Sequence, residues 1–90
     1  MNSIYLSTLE EIERYRLVIK DSIVFSKANT KSNYGENRRS VLSSMYFMGC
    51  IPKAYYIKYV TDRRILRHKQ YESICNWAIA KLNKLKEEYR

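Results

Sequence analysis

The chain has 90 residues, with 17 Lys and Arg against 9 Asp and Glu, a formal charge of +8 and a sequence pI near 9.6. A chain this short buries only about 60–65% of its unfolded surface, which excludes large cofactor-binding architectures and leaves little sequence for an elaborate catalytic pocket. At 46% hydrophobic and 29% charged residues it has a globular, not a disordered, composition, and a single domain spanning 1–90 is expected.

The N-terminal residues show no basic cluster followed by an apolar run, and acids arrive at Glu10, Glu11 and Glu13. No secretory signal is expected. The longest apolar stretches, Leu17-Val18-Ile19 and Ile23-Val24-Phe25, fall far short of the roughly 18 residues a bilayer span requires, so a cytoplasmic protein without membrane contact is expected. A first helix starts at Ser7 or Thr8, because Ser7 with Glu10 and Thr8 with Glu11 each read as a capping box. Leu9, Ile12, Tyr15, Ile19 and Ile23 follow at steps of three and four, one apolar stripe. Leu17, Val18, Val24 and Phe25 widen it, so burial over more than half the circumference is expected. Two strands around Lys20-Asp21-Ser22 are the competing reading, and the unbroken helical pattern from Leu9 decides against it.

Residues 29–37 are polar, contain Gly35 and read as a loop. A second helix is expected over 38–48, capped by Asn37, with Val41, Leu42, Met45 and Met48 inward and Gly49 as its left-handed stop. Pro52 suits the first turn of a third helix carrying Tyr55, Tyr56, Ile57, Tyr59 and Val60. Its pattern blurs at Thr61-Asp62, and the polar run Arg67-His68-Lys69-Gln70 reads as an exposed turn or break. The last helix is the clearest, with Tyr71, Ile74, Cys75, Ala78, Leu82, Leu85 and Tyr89 inward and Lys81, Lys84, Lys86 and Glu87 on its solvated face. The expected fold is all-α, three to four helices with a helix-turn-helix in the middle.

The charge is unevenly spread along these elements. Residues 1–30 carry four cations and four acids, residues 71–90 four and three, and residues 31–70 nine and two, a local excess of +7. Such concentration costs self-repulsion and points to an anionic partner, most commonly phosphate backbone. Tyrosines at 34, 46, 55, 56 and 59 lie among the cations, where they either ring a small core or meet phosphates and bases. Tyr55 and Tyr56 point about 100° apart on a helix, so one of them is available to a partner.

Residues 40–61 can be laid on the helix-turn-helix pattern, although Met45 stands where a small residue usually allows close approach. Lys53, Tyr55, Tyr56 and Lys58 are then the groove-facing candidates, and Arg38, Arg39, Arg63, Arg64 and Arg67 the backbone clamps. The expected partner is nucleic acid, DNA ahead of RNA, bound by a homodimer that doubles its half-site. An alternative is a protein-interaction module docking on an acidic or nucleic-acid-binding surface, as small phage- or plasmid-encoded inhibitors do. Arg63 followed by His68 resembles the catalytic motif of HEPN-type ribonucleases. The resemblance covers these two positions and implies that they would act on the 2′-hydroxyl and scissile phosphate of RNA; Arg64 departs from the polar residue that often follows the arginine. No other catalytic constellation is present, and Cys50, Cys75 and His68 lack the paired spacing of a zinc site, so neither metal nor cofactor is expected.

Overall fold

The computed structural model describes residues 8–28 and 35–89. Tyr34, Lys31, Ser7 and most of the expected 29–37 loop lie outside them. Among the described residues the chain forms α1 (Leu9–Ala28), α2 (Gly35–Phe47), α3 (Lys53–Tyr56), which runs on without a break as a wider turn over Ile57–Thr61, and α4 (His68–Glu88), with no strand. The fold is all-α.

Thr8 caps α1. Its hydroxyl accepts the Glu11 amide at 3.1 Å and donates to the Glu11 carboxylate at 3.1 Å, satisfying a donor that the helix itself leaves orphaned. Ile12 and Ile19 are completely buried and Tyr15 and Ile23 pack beside them, as the stripe predicts. The expected burial of more than half the circumference is not found: Leu17, Val18, Val24 and Phe25 are 49%, 50%, 69% and 43% exposed. The remaining helices are too few to wrap α1: α4 and α2 pack on its Ile12–Ile19 side, and α3 packs on α2 instead.

α2 begins at Gly35, earlier than expected, and Asn37 lies exposed inside it instead of capping it. Glu36 in the first turn suits the positive end of the helix and pairs with Arg39, which favours the longer helix. Leu42 and Met45 are fully buried. At the C-terminus Gly49 takes φ 81°, the Cys50 amide donates to the Met45 carbonyl at 2.8 Å and the Gly49 amide to the Tyr46 carbonyl at 2.9 Å. This is a Schellman stop, sealed by the buried Cys50 and Met45. Pro52 then precedes α3 with extended backbone.

Beyond α3 the chain widens into a π-type turn, closed by the Asp62 amide on the Ile57 carbonyl at 2.8 Å. Residues 63–67 form a link without regular secondary structure, with Leu66 buried as an anchor, and α4 starts at His68. The break expected at 67–70 therefore lies just upstream. The Gln70 side chain accepts the Arg67 amide at 2.9 Å, which starts α4 before its first large apolar residue. α4 buries Tyr71, Ile74, Cys75, Ala78, Ile79 and Leu82, whereas Tyr89 is exposed. It packs antiparallel on α1, shown by the pairings Ser26 with His68, Ser22 with Tyr71 and Glu13 with Lys86.

Candidate nucleic-acid interface

Of the nine residues expected to meet an anion, the seven cations fall into three groups. Arg38 is in the interior. Its Nε donates to Ser26 Oγ at 2.7 Å, Nη1 to the Leu66 carbonyl at 2.9 Å and Nη2 to the Ser26 carbonyl at 3.1 Å. At 6% exposure, this guanidinium ties α2 to the end of α1 and to the irregular link before α4. Charge buried in this way is stable only when its donors are matched, and these are.

Arg39 and Arg63 form the second group, gathered by Glu36. Arg39 donates Nη1 to Glu36 at 2.9 Å and Nε to the Tyr59 carbonyl at 3.1 Å, fastening α2 to the wide turn. Arg63 pairs with the same carboxylate from a left-handed backbone at φ 54°, a conformation that non-glycine residues resist. One acid thus partly neutralises two of the expected clamps.

The third group is Lys53, Lys58, Arg64 and Arg67, all exposed and without an ion pair among the described residues. On α3 and its continuation the exposed positions are Lys53, Ala54, Ile57, Lys58 and Thr61, so both lysines belong to its outer face. Lys58 Nζ stands 5.3 Å over the Tyr59 ring. Tyr55 and Tyr59 line an open groove of about 280 Å³ with Lys69, Gln70, Ser73 and Ile74 from α4. Lys69, exposed in the first turn of α4, is a fifth cation of this segment without an ion pair among the described residues; the sequence does not single it out as a site residue, because the polar run around it reads as a turn.

Tyr56 has a different setting from Tyr55. Its ring stacks on Tyr46 at 4.5 Å and 28°, and meets the edge of Phe47 at 5.6 Å and 70°, giving an aromatic cluster in which Phe47 is 62% exposed.

His68 and Arg63, the two positions of the ribonuclease resemblance, have separate partners. Arg63 faces Glu36, whereas His68 Nδ1 lies 2.9 Å from Ser26 Oγ and its Nε2 3.9 Å from Glu72. The resulting line of hydroxyl, imidazole and carboxylate has the order of a nucleophilic triad, but Ser26 is 1% exposed and its oxygen also accepts from Arg38. The Ser26 hydroxyl is closed to substrate, and these groups knit α1, α2 and α4 together. Nothing in the periodicity of the sequence announces this knot.

Among the described residues no group of three or more His, Cys, Asp and Glu side chains could hold a metal ion, and no helix is long and apolar enough to cross a membrane. Cys50 and Cys75 are free and buried, which pushes both thiols up to about 11. No family model, curated protein or solved structure matches the chain.

Proposed function

We propose that the protein binds nucleic acid, DNA in preference to RNA, in a regulatory or accessory role in the cytoplasm. The observation that carries this reading is the set of exposed cations Lys53, Lys58, Arg64, Arg67 and Lys69, without an ion pair among the described residues, with Lys69 lining the Tyr55–Tyr59 groove and Asp62 the one acid between Lys53 and Lys69. Unpaired cations exposed on a helix and its flanking link suit a polyanion such as a phosphate backbone better than a buried substrate. In this reading the outer face of α3, with Lys53 and Lys58, approaches the duplex as the second helix of a helix-turn-helix does. Arg64, Arg67 and Lys69 hold the flanking backbone. Tyr55 serves an unpaired base or a phosphate from the groove.

The test is binding of labelled duplex DNA, single-stranded DNA and RNA to the full chain at two salt concentrations. The proposal expects duplex DNA to bind more tightly than about 100 μM near physiological salt, and to weaken steeply as salt rises, since each neutralised phosphate releases condensed counterions. Weaker binding, or affinity indifferent to salt, overturns it. Tighter binding of RNA than of DNA would overturn the preference alone.

A second reading rests on a separate observation, the Tyr46–Phe47–Tyr56 cluster with its exposed Phe47 ring. Aromatic rings beside cations suit an acidic protein surface. That reading expects a protein partner retained after nuclease treatment and released by Phe47→Asp, with DNA affinity of the variant unchanged.

A further inference from the structure

Ile12, Ile19 and Ser26 stand seven residues apart and mark the buried line of α1. At 100° per residue, Arg14, Asp21 and Ala28 form a second line about 160° away, on the opposite side of the helix. Leu17 with Val24 runs along one flank of that line, and Val18 with Phe25 along the other. The outer side of α1 is thus an apolar strip broken on its centreline by one cation and one anion, Arg14 and Asp21, both exposed. Four large apolar residues gathered on one exposed face are uncommon on a monomer and mark an interaction surface.

We infer that this strip is the interface between two copies of the chain, packed as antiparallel α1 helices about a two-fold axis near Leu17 and Val18. Two observations select a second copy. The first is charge: two molecules of +8 repel each other everywhere except through a neutral surface, and α1 carries Arg14, Arg16, Lys20 and Lys27 against Glu10, Glu11, Glu13 and Asp21. An acidic partner or a nucleic acid would be drawn to residues 53–69 instead. The second is self-complementarity. Seven residues separate Arg14 from Asp21, with Leu17 and Val18 between them, so a two-fold axis through that pair sets Arg14 of each copy against Asp21 of the other. An isologous interface needs this property, because the same patch must serve as both partners. Among the described residues Arg14 is held by an exposed contact to Glu10 at 3.4 Å, which is readily exchanged. The strip is short, so a weak, concentration-dependent dimer is expected, well below the size of obligate interfaces.

Sedimentation of the full chain from micromolar to millimolar concentration tests this, with Phe25→Glu, Arg14→Asp, Asp21→Arg and the double variant Arg14→Asp with Asp21→Arg in parallel. The wild type should pass from monomer to dimer and Phe25→Glu should stay monomeric. Each single charge variant should weaken the dimer at least roughly fivefold, the scale of two exposed ion pairs, and the double variant, with unchanged net charge, should restore it. A wild type that is monomeric throughout, a Phe25→Glu dimer as strong as the wild type, or a double variant weaker than both singles overturns the inference. All the substituted side chains are exposed, so far-ultraviolet circular dichroism should show every variant folded.

Discussion

In the antiparallel pair of α1 and α4, Arg14, Arg16, Lys81 and Lys86 are matched, whereas Lys20, Lys27 and Lys84 make no ion pair among the described residues. Glu13 takes both Arg16 and Lys86, Arg14 reaches Glu10, and Lys81 stands over the Trp77 ring at 5.3 Å. From Lys53 to Lys69 fewer are matched: Lys53, Lys58, Arg64, Arg67 and Lys69 make no ion pair among the described residues, Lys58 standing over the Tyr59 ring, and Glu36 answers Arg39 and Arg63 together. Unmatched cations thus occur in both regions but are densest in residues 53–69, where Asp62 is the one acid. In the proposed reading the matched half serves the fold, and the unmatched segment is left for an anion.

Arg38 cuts across this division, since it belongs to the basic segment in sequence and to the scaffold in space. Its replacement is the strongest way to sharpen the comparison. Arg38→Ala leaves the Ser26 and Leu66 carbonyls and the Ser26 hydroxyl short of buried donors, and should cost about 3 kcal/mol in urea unfolding. Arg64→Ala should stay within about 0.5 kcal/mol. Equal costs would mean that the two arginines do not differ in role.

Acid probes the matched half. Arg16 and Lys86 hold the Glu13 carboxyl down at about 2, against an ordinary value of 4.5. Its folded pKa is the lower one, so the stabilisation is complete above about 4.5 and is lost as pH falls toward 2. Urea midpoints measured across that window should fall for the wild type and fall less for Glu13→Gln. An unchanged acid limb in the variant would show that this junction of α1 and α4 carries none of it. The smallest expected effect belongs to Glu36→Gln, which frees Arg39 and Arg63 from their shared acid. Titration with labelled duplex should show binding strengthened roughly twofold, the scale of one exposed ion pair. Weakened binding would mean that Glu36 positions these arginines for the ligand.

Local signals in the sequence located what local physics decides. Thr8 with Glu11 marked the start of α1, and Gly49 followed by Pro52 marked the stop and restart around the central turn. The all-α fold and most buried positions of α4 follow from periodicity. Where a neighbour decides, the sequence was silent. Arg38 and Arg39 are adjacent and chemically identical, and only the place of Ser26 and Leu66 draws one inward. The start of α4 at His68 depends on Gln70 and on the Ser26 contact, neither of which is an apolar repeat. Leu17, Val18, Val24 and Phe25 read as core because periodicity registers hydrophobicity without saying what covers it. For the candidate interface, the sequence located the basic segment, whereas tertiary packing separated its buried, shared and unpaired cations.

The central claim is that place, and not total charge, makes the anion-binding surface. It is tested by comparing two charge reversals of equal size, Lys58→Glu with Arg67→Glu, and Lys20→Glu with Lys84→Glu, in salt-dependent binding of duplex DNA. All four side chains are exposed. The first pair should lose at least tenfold in affinity and lower the salt slope by about 2, one for each lost phosphate contact. The second should change affinity by less than about threefold and leave the slope alone, because distant exposed charges are screened. Equal losses in the two pairs would contradict the account.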